Sequence, residues 1–225
     1  MAERNLGRVA ASSLSLMKIL AASAIAGAAL AAAATAAAPV TLTLSASAPT
    51  VAYGKTVTLS GVLSSKLANQ PVSVSGLECG TTAYKRVANT KTTTGGAYKI
   101  TATPTVGTTY QAKQKKLTSN TVAVAVAPVL KLVRVKRGSY SATVTAGQDL
   151  KGKAIIFQRY SKLKKRWVQV KRVILATSTP GTAPTVVSSA SFTAKAPRRA
   201  RVRVAISKAQ AAPCYVKAVS KSVRA

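Results

Sequence analysis

Residues 119–138, SNTVAVAVAPVLKLVRVKRG, constrain this chain more than any other stretch. Residues 121–126 alternate apolar and small side chains. Residues 129–135 alternate again, with Lys131 and Arg134 set among apolar positions. A two-residue period is the pattern of a strand with one buried face. Pro128 stands between the two runs. Proline lacks an N–H and fixes φ, so it fits a strand start or a connection better than a central strand. The stretch therefore reads as the last strand of one β-domain running directly into the first strand of another. Three parts follow from it: an export segment at residues 1–38, a first β-domain at 39–127 and a second at 128–225.

The same period recurs on both sides of Pro128, with turn residues between the runs. In the first domain, strands are expected at residues 40–46, 56–63, 72–77, 84–92, 97–103, 108–113 and 121–126. In the second they are expected at 129–135, 139–146, 153–160, 166–175, 189–196, 201–206 and 215–224, with 177–188 as a loose loop. The runs are rich in Val and Thr, and the first domain holds no convincing helix. Aromatic residues return in the same order: Tyr84 and Trp167, then Tyr98 and Phe192, the last two followed by Pro104 and Pro197. That order marks a weak internal repeat. The expected fold is all-β, two tandem sandwiches of immunoglobulin type after an N-terminal signal peptide helix.

The pattern AYGKTVTLSG … NQPVSV … TTTGGAYKITATPTVGTTYQAK … SNTVAVAV resembles the immunoglobulin-like repeats of secreted bacterial surface proteins. The resemblance covers residues 40–126 and returns at the Trp167 strand and at residues 213–220. It implies adhesion, spacing or surface display, with no particular ligand. It also places Tyr110 where such folds often carry a tyrosine corner. Alignment of the internal repeat sets Trp167 in the sandwich core, with ligand stacking as the alternative. The strand-to-strand cysteine pair of many such folds is missing. Related repeats tend to have Gly where Cys214 stands.

Cys79 follows the third strand of the first domain and Cys214 the sixth strand of the second. In a seven-strand sandwich of this type, both positions fall at the junction between the domains. An oxidising compartment favours a disulfide between them. The alternative is two free, core-like thiols. Glu78 and Asp149 fall in loops at the same junction, where both are expected to pair with bases.

The export segment has a basic leader and then an uninterrupted run of small and apolar residues at 19–38, ending in alanines that suit a peptidase. Its alternative is an uncleaved N-terminal anchor, since the run has a membrane-spanning length. The expected location is secreted or at the cell surface, and a membrane enters only through an uncleaved leader.

Charge sets the class of partner. The chain has 34 Lys and Arg against 3 Asp and Glu, a net charge of +31, and no His. Beyond the leader the only acids are Glu78 and Asp149. A general acid–base pair, a Ser–His–Asp triad, a metal cluster and a carboxylate calcium cage all lack raw material. No enzymatic activity and no cofactor are expected. The long-range field will meet polyanions. Residues 160–172, YSKLKKRWVQVKR, are the densest basic stretch. They read as a hairpin with a basic tip, and Tyr160, Lys162, Lys164, Lys165, Arg166, Lys171 and Arg172 are the candidate polyanion contacts. Bases beside a flat ring suit single-stranded nucleic acid or an anionic glycan. The plainer reading is a solvated tip that protects a strand edge. Expected partners are anionic cell-envelope polymers or other surface proteins, with nucleic acid bound only non-specifically.

Overall fold

Alternating sequence becomes strand throughout residues 38–225, the part of the chain that the computed structural model describes. The fold there is all-β, built of mostly antiparallel sheets. The leader expected at residues 1–38 lies outside the described residues, apart from Ala38. Before Pro128 run β1 (Ser45–Ala46), β2 (Thr50–Ala52), β3 (Val57–Val62), β4 (Pro71–Glu78), β5 (Lys85–Lys91), β6 (Ala97–Ala102), β7 (Thr108–Gln114), β8 (Leu117–Thr118) and β9 (Val122–Ala127). After it run β10 (Val129–Lys136), β11 (Ser139–Ala146), β12 (Ala154–Ser161), β13 (Arg166–Ile174), β14 (Thr177–Pro180), β15 (Val186–Thr193), β16 (Arg201–Ile206), the helix α1 (Lys208–Ala211), β17 (Ala218–Val219) and β18 (Val223–Arg224).

The two stretches repeat one pairing scheme. Before Pro128, β3 pairs with β6, and β4 lies between β5 and β7, with β9 beyond β7. After it, β11 pairs with β15, and β12 lies between β13 and β16, with β17 beyond β16. The resulting orders are β1-β3-β6 and β2-β9-β7-β4-β5, then β10-β11-β15-β14 and β13-β12-β16-β17. No ladder among the described strands crosses Pro128. The proline is buried and separates β9 from β10 at the point where the chain changes sheets.

Period-two burial carries the packing. In β11 every second residue is buried: Tyr140, Ala142, Val144 and Ala146. Tyr140 meets Phe157 of β12 with ring centroids 4.7 Å apart, and Phe192 of β15 lies 5.3 Å from Phe157. Two sheets thus share one aromatic cluster. Burying a side chain the size of Phe157 stabilises by roughly 1.5–3 kcal/mol. On the other side of Pro128, Gly61 of β3 sits opposite Tyr98 of β6. A Cβ at Gly61 would fall on the Thr43 carbonyl oxygen and the Tyr98 hydroxyl, and that hydroxyl donates to Thr43 O. The glycine makes room for the ring, and the ring fills the space the glycine leaves.

Several expectations give way. The first strand, expected at 40–46, is a bridge at Leu42 followed by β1. The chain then passes Pro49 and joins the other sheet as β2, parallel to β9. Residues 177–188 are not a loose loop: β14 pairs along β15 from Thr177–Ser189 to Pro180–Val186. Its sequence, TSTP, has no apolar alternation to reveal it. A short helix also interrupts the end of the chain. Ser207 caps it, its hydroxyl accepting from the Gln210 N–H at 3.3 Å. Four residues are too few for a helical period, although Ser207 with Gln210 has the spacing of a capping box. Tyr110 is buried, but its hydroxyl lies beside the Thr108 side chain and forms no main-chain corner. Among the described residues, the tyrosine hydroxyls that donate to main chain are those of Tyr98 and Tyr215.

Candidate functional site

Two places gather chemistry. The first is the seam between the stretches on either side of Pro128. Cys79 follows β4 and Cys214 follows α1, and a disulfide joins them with the Cα atoms 5.3 Å apart. The bond is embedded in main-chain hydrogen bonds. Cys79 N–H donates to Gly107 O at 2.8 Å, and Gly107 N–H donates to Cys214 O at 2.9 Å. Val216 N–H donates to Val126 O at 3.0 Å. Next to Cys214, the Tyr215 hydroxyl donates to Thr105 O at 3.1 Å and accepts from Gly147 N–H at 2.9 Å. Burial pushes the Tyr215 phenol up to about 12. Tyr53 and Thr185 add a hydroxyl pair at 3.0 Å. Cys214 and Tyr215 are both buried in the common hydrophobic core.

Asp149, near this seam, does not act as expected. The Asp149 carboxylate accepts from Lys151 N–H at 2.8 Å and from the Ser188 hydroxyl at 3.1 Å. Those bonds, the main-chain one foremost, lower its pKa. Asp149 therefore closes a turn instead of pairing with a base across the seam. The Glu78 carbonyl accepts from Thr81, through the N–H at 3.0 Å and the hydroxyl at 2.8 Å.

The second place is the outer face of the sheet β13-β12-β16-β17. Strand pairing sets Tyr160 opposite Trp167 and Ile156 opposite Arg172. Arg201 and Arg203 alternate with the buried Val202 and Val204, so they share that outer face. Tyr160 meets Trp167 edge-on, centroids 5.5 Å apart. The Arg203 guanidinium lies 4.1 Å from the Trp167 centroid, and Arg201 lies 5.8 Å from both rings. Arg203 Nε donates to Gln158 Oε1 at 2.8 Å. Burial lowers the Arg203 pKa.

No protein-family model matches this chain, and no curated protein matches it.

The sequence-expected contacts divide between several environments. Lys162, Lys164 and Lys165 occupy the turn between β12 and β13, beside Leu163, which is 92% exposed. Arg166 opens β13 opposite Ser161. Tyr160 and Arg172 share the outer face. Lys171 lies opposite the buried Phe157, and its ammonium donates to Thr193 O at 2.9 Å, which ties β13 to the facing sheet. Trp167 is corrected outright: it is half-buried on the outer face and is not a core residue. Its counterpart Tyr84 is likewise 42% exposed. Both precede or occupy an edge strand, β5 or β13, whose outer side faces water. The core rings are Tyr140 and Phe157 instead. Arg201, Arg203 and Arg224 are not among the sequence-expected contacts, although the stretch 198–203 is basic and the alternation RVRV puts Arg201 and Arg203 on one face.

A further basic feature lies on the sheet of β4. An open cavity of about 580 Å³ runs beside Pro71 and Ser73, lined by Arg86, Lys91, Lys113 and Lys115. Pro71 and Ser73 belong to β4, Arg86 and Lys91 to β5 and Lys113 to β7, and Lys115 follows β7 directly.

Proposed function

We propose that this protein is an exported, non-enzymatic pair of immunoglobulin-like β-sandwiches with a structural or adhesive role at the cell surface, held there by charge on anionic envelope polymers. The observation that carries the reading is the Cys79–Cys214 disulfide set in the hydrogen-bonded seam. Such a bond persists in oxidising compartments and is rare in reducing ones. A seam fixed by a covalent link, shared main-chain bonds and buried aromatic packing suits a part that holds a spacing. The repeated pairing scheme on either side of Pro128 supports the immunoglobulin-like assignment. So does the close approach of Gly61 and Tyr98, within the strand pattern that carries the resemblance.

The test is intact mass of the natively produced protein, alkylated before and after reduction. Export with a locked seam predicts a chain beginning near residue 39 and no alkylated cysteine before reduction. A full-length chain carrying two alkylated thiols would overturn the reading.

A second reading has its own observation. The arginine–aromatic cluster on the outer face supports a dedicated polyanion-binding module. Generic adsorption weakens alike whichever basic patch is neutralised. A dedicated module loses binding selectively at one patch, with a steep salt dependence.

A further inference from the structure

We infer that the outer face of the sheet β13-β12-β16 with β18 is a binding site for the backbone of a base-free phosphodiester polymer, gripped by Arg201, Arg203 and Arg224. The inference rests on the charge-held part of the function proposed above and gives it an address.

The outer face carries an uncompensated charge. Arg201 and Arg224 are direct partners across the β16–β18 ladder. Directly opposed residues in an antiparallel pair stand about 5 Å apart at Cα and point to the same face. Like charges in that position destabilise the sheet. Arg203 is two residues from Arg201 and adds a third cation. The described residues carry two acidic side chains, Glu78 and Asp149, and neither lies on this sheet. No acidic side chain among the described residues neutralises the cluster, whereas a bound anion would.

Its central arginine is already held in place. Arg203 is stacked on Trp167 and held through Nε by Gln158. Those contacts fix the plane of the guanidinium and leave its two terminal nitrogens without a hydrogen-bond partner among the described residues. A guanidinium held in this way loses little rotamer freedom when it grips an oxyanion. The Arg201 terminal nitrogen reaches Ser222, at 3.4 Å.

The arrangement of cations and rings selects the ligand. A carboxylate has two coplanar oxygens and is satisfied by one guanidinium fork. A tetrahedral phosphodiester turns two oxygens in different directions, which suits guanidinium groups arriving from two strands. Single-stranded nucleic acid would also use a free aromatic face for its bases. Here Arg203 covers the Trp167 ring, and Arg201 lies over both Trp167 and Tyr160. The rings serve to set the arginines, so the site reads phosphates and not bases.

The test uses the full chain with its disulfide intact. Affinity is measured over a range of salt for poly(glycerol phosphate), oligodeoxythymidylate and polygalacturonate, matched in number of charges. Poly(glycerol phosphate) should bind tightest. Arg203→Gln should weaken it about tenfold, the size of one charge-assisted hydrogen bond. Arg203→Lys, which keeps the charge but loses the fork and the stack, should weaken it nearly as much. The triple change of Arg201, Arg203 and Arg224 to Gln should lower the salt slope by about 2. The comparison variant changes Lys162, Lys164 and Lys165 to Ser, removing equal charge, and should keep most of the affinity. Equal losses in the two triple variants would leave charge-held adsorption standing and remove this site. No binding of any polymer would remove both. Tighter binding of oligodeoxythymidylate or polygalacturonate, or an Arg203→Lys variant that binds like the parent, would overturn the ligand assignment. Thermal melts of each variant verify that the fold is retained.

Discussion

Tyr98 and Tyr215 show how single residues tie this fold together. Each is buried, and each spends its hydroxyl on a main-chain carbonyl, Thr43 O for Tyr98 and Thr105 O for Tyr215. Burial raises both phenols to about 12 from an ordinary value of 10. A raised value in the folded state means that the unfolded chain ionises first. The stability these phenols contribute is therefore complete below pH 10 and is lost as pH rises toward 12. Replacing both with Phe should remove that loss. The difference in unfolding free energy, parent minus the double Phe variant, should be flat from pH 7 to 9 and fall steadily above 10. A difference that stayed flat through pH 11.5 would mean that the phenols are not desolvated. Residue type alone did not predict which rings would be buried. Trp167 is the largest apolar side chain in the sequence, yet it is spent on the outer face beneath Arg203. Hydrophobicity ranks a side chain for burial, but the parity of its strand decides which way it points.

Among elements, those with a strong two-residue period were legible and those without it were not. β11, β16 and β9 carry apolar residues at alternate positions, and their bounds follow from sequence to within a residue or so. β14 and β2 are short edge pieces whose order comes from hydrogen bonds to a neighbour, Thr177 to Ser189 in one case and the parallel ladder to β9 in the other. Such strands exist because a partner is present, so their own residues carry little signal. The basic cluster shows the same limit. The local sequence brought Tyr160 and Arg172 to notice, but Arg201 and Arg203 join them only through the β12–β16 pairing. β3 offers the sharpest element-level check. Gly61 is crowded from outside the strand by a carbonyl and a phenol, both held in place by their own hydrogen bond. Gly61→Ala must displace both. Overpacking of this kind costs about 1–3 kcal/mol, and the broken bond puts this site at the upper end. Urea unfolding should show the loss. The double variant Gly61→Ala with Tyr98→Leu should lose less than the sum of its parts, because it relieves one of the two clashes and the bond between phenol and carbonyl can be lost only once.

At the scale of the whole molecule, the question is what makes residues 39–225 one compact unit when every sheet stays on its own side of Pro128. Two links are available. The non-covalent one consists of a few cross-seam hydrogen bonds, from Gly107, Val216, Tyr215 and the Tyr53–Thr185 pair, at about 1 kcal/mol each. It also includes the packing of Cys214 and Tyr215 into the core. The covalent one is the Cys79–Cys214 bond, which closes a stretch of 135 residues. Chain entropy allows a loop of that length at most about 5 kcal/mol of stabilisation. Hydrogen bonds and covalent link are thus of similar size, and each reaches no further than the lower end of the roughly 5–15 kcal/mol that holds a typical domain folded. Coupling of the two stretches should then need both. The parent protein should unfold in one calorimetric transition. Cys79→Ser with Cys214→Ser should unfold in two, with the Gly107 and Val216 amides losing exchange protection ahead of the amides of β7 and β12. A single transition in the double variant, with those two amides still protected, would place the coupling in the shared core, and the disulfide would then serve durability and not architecture.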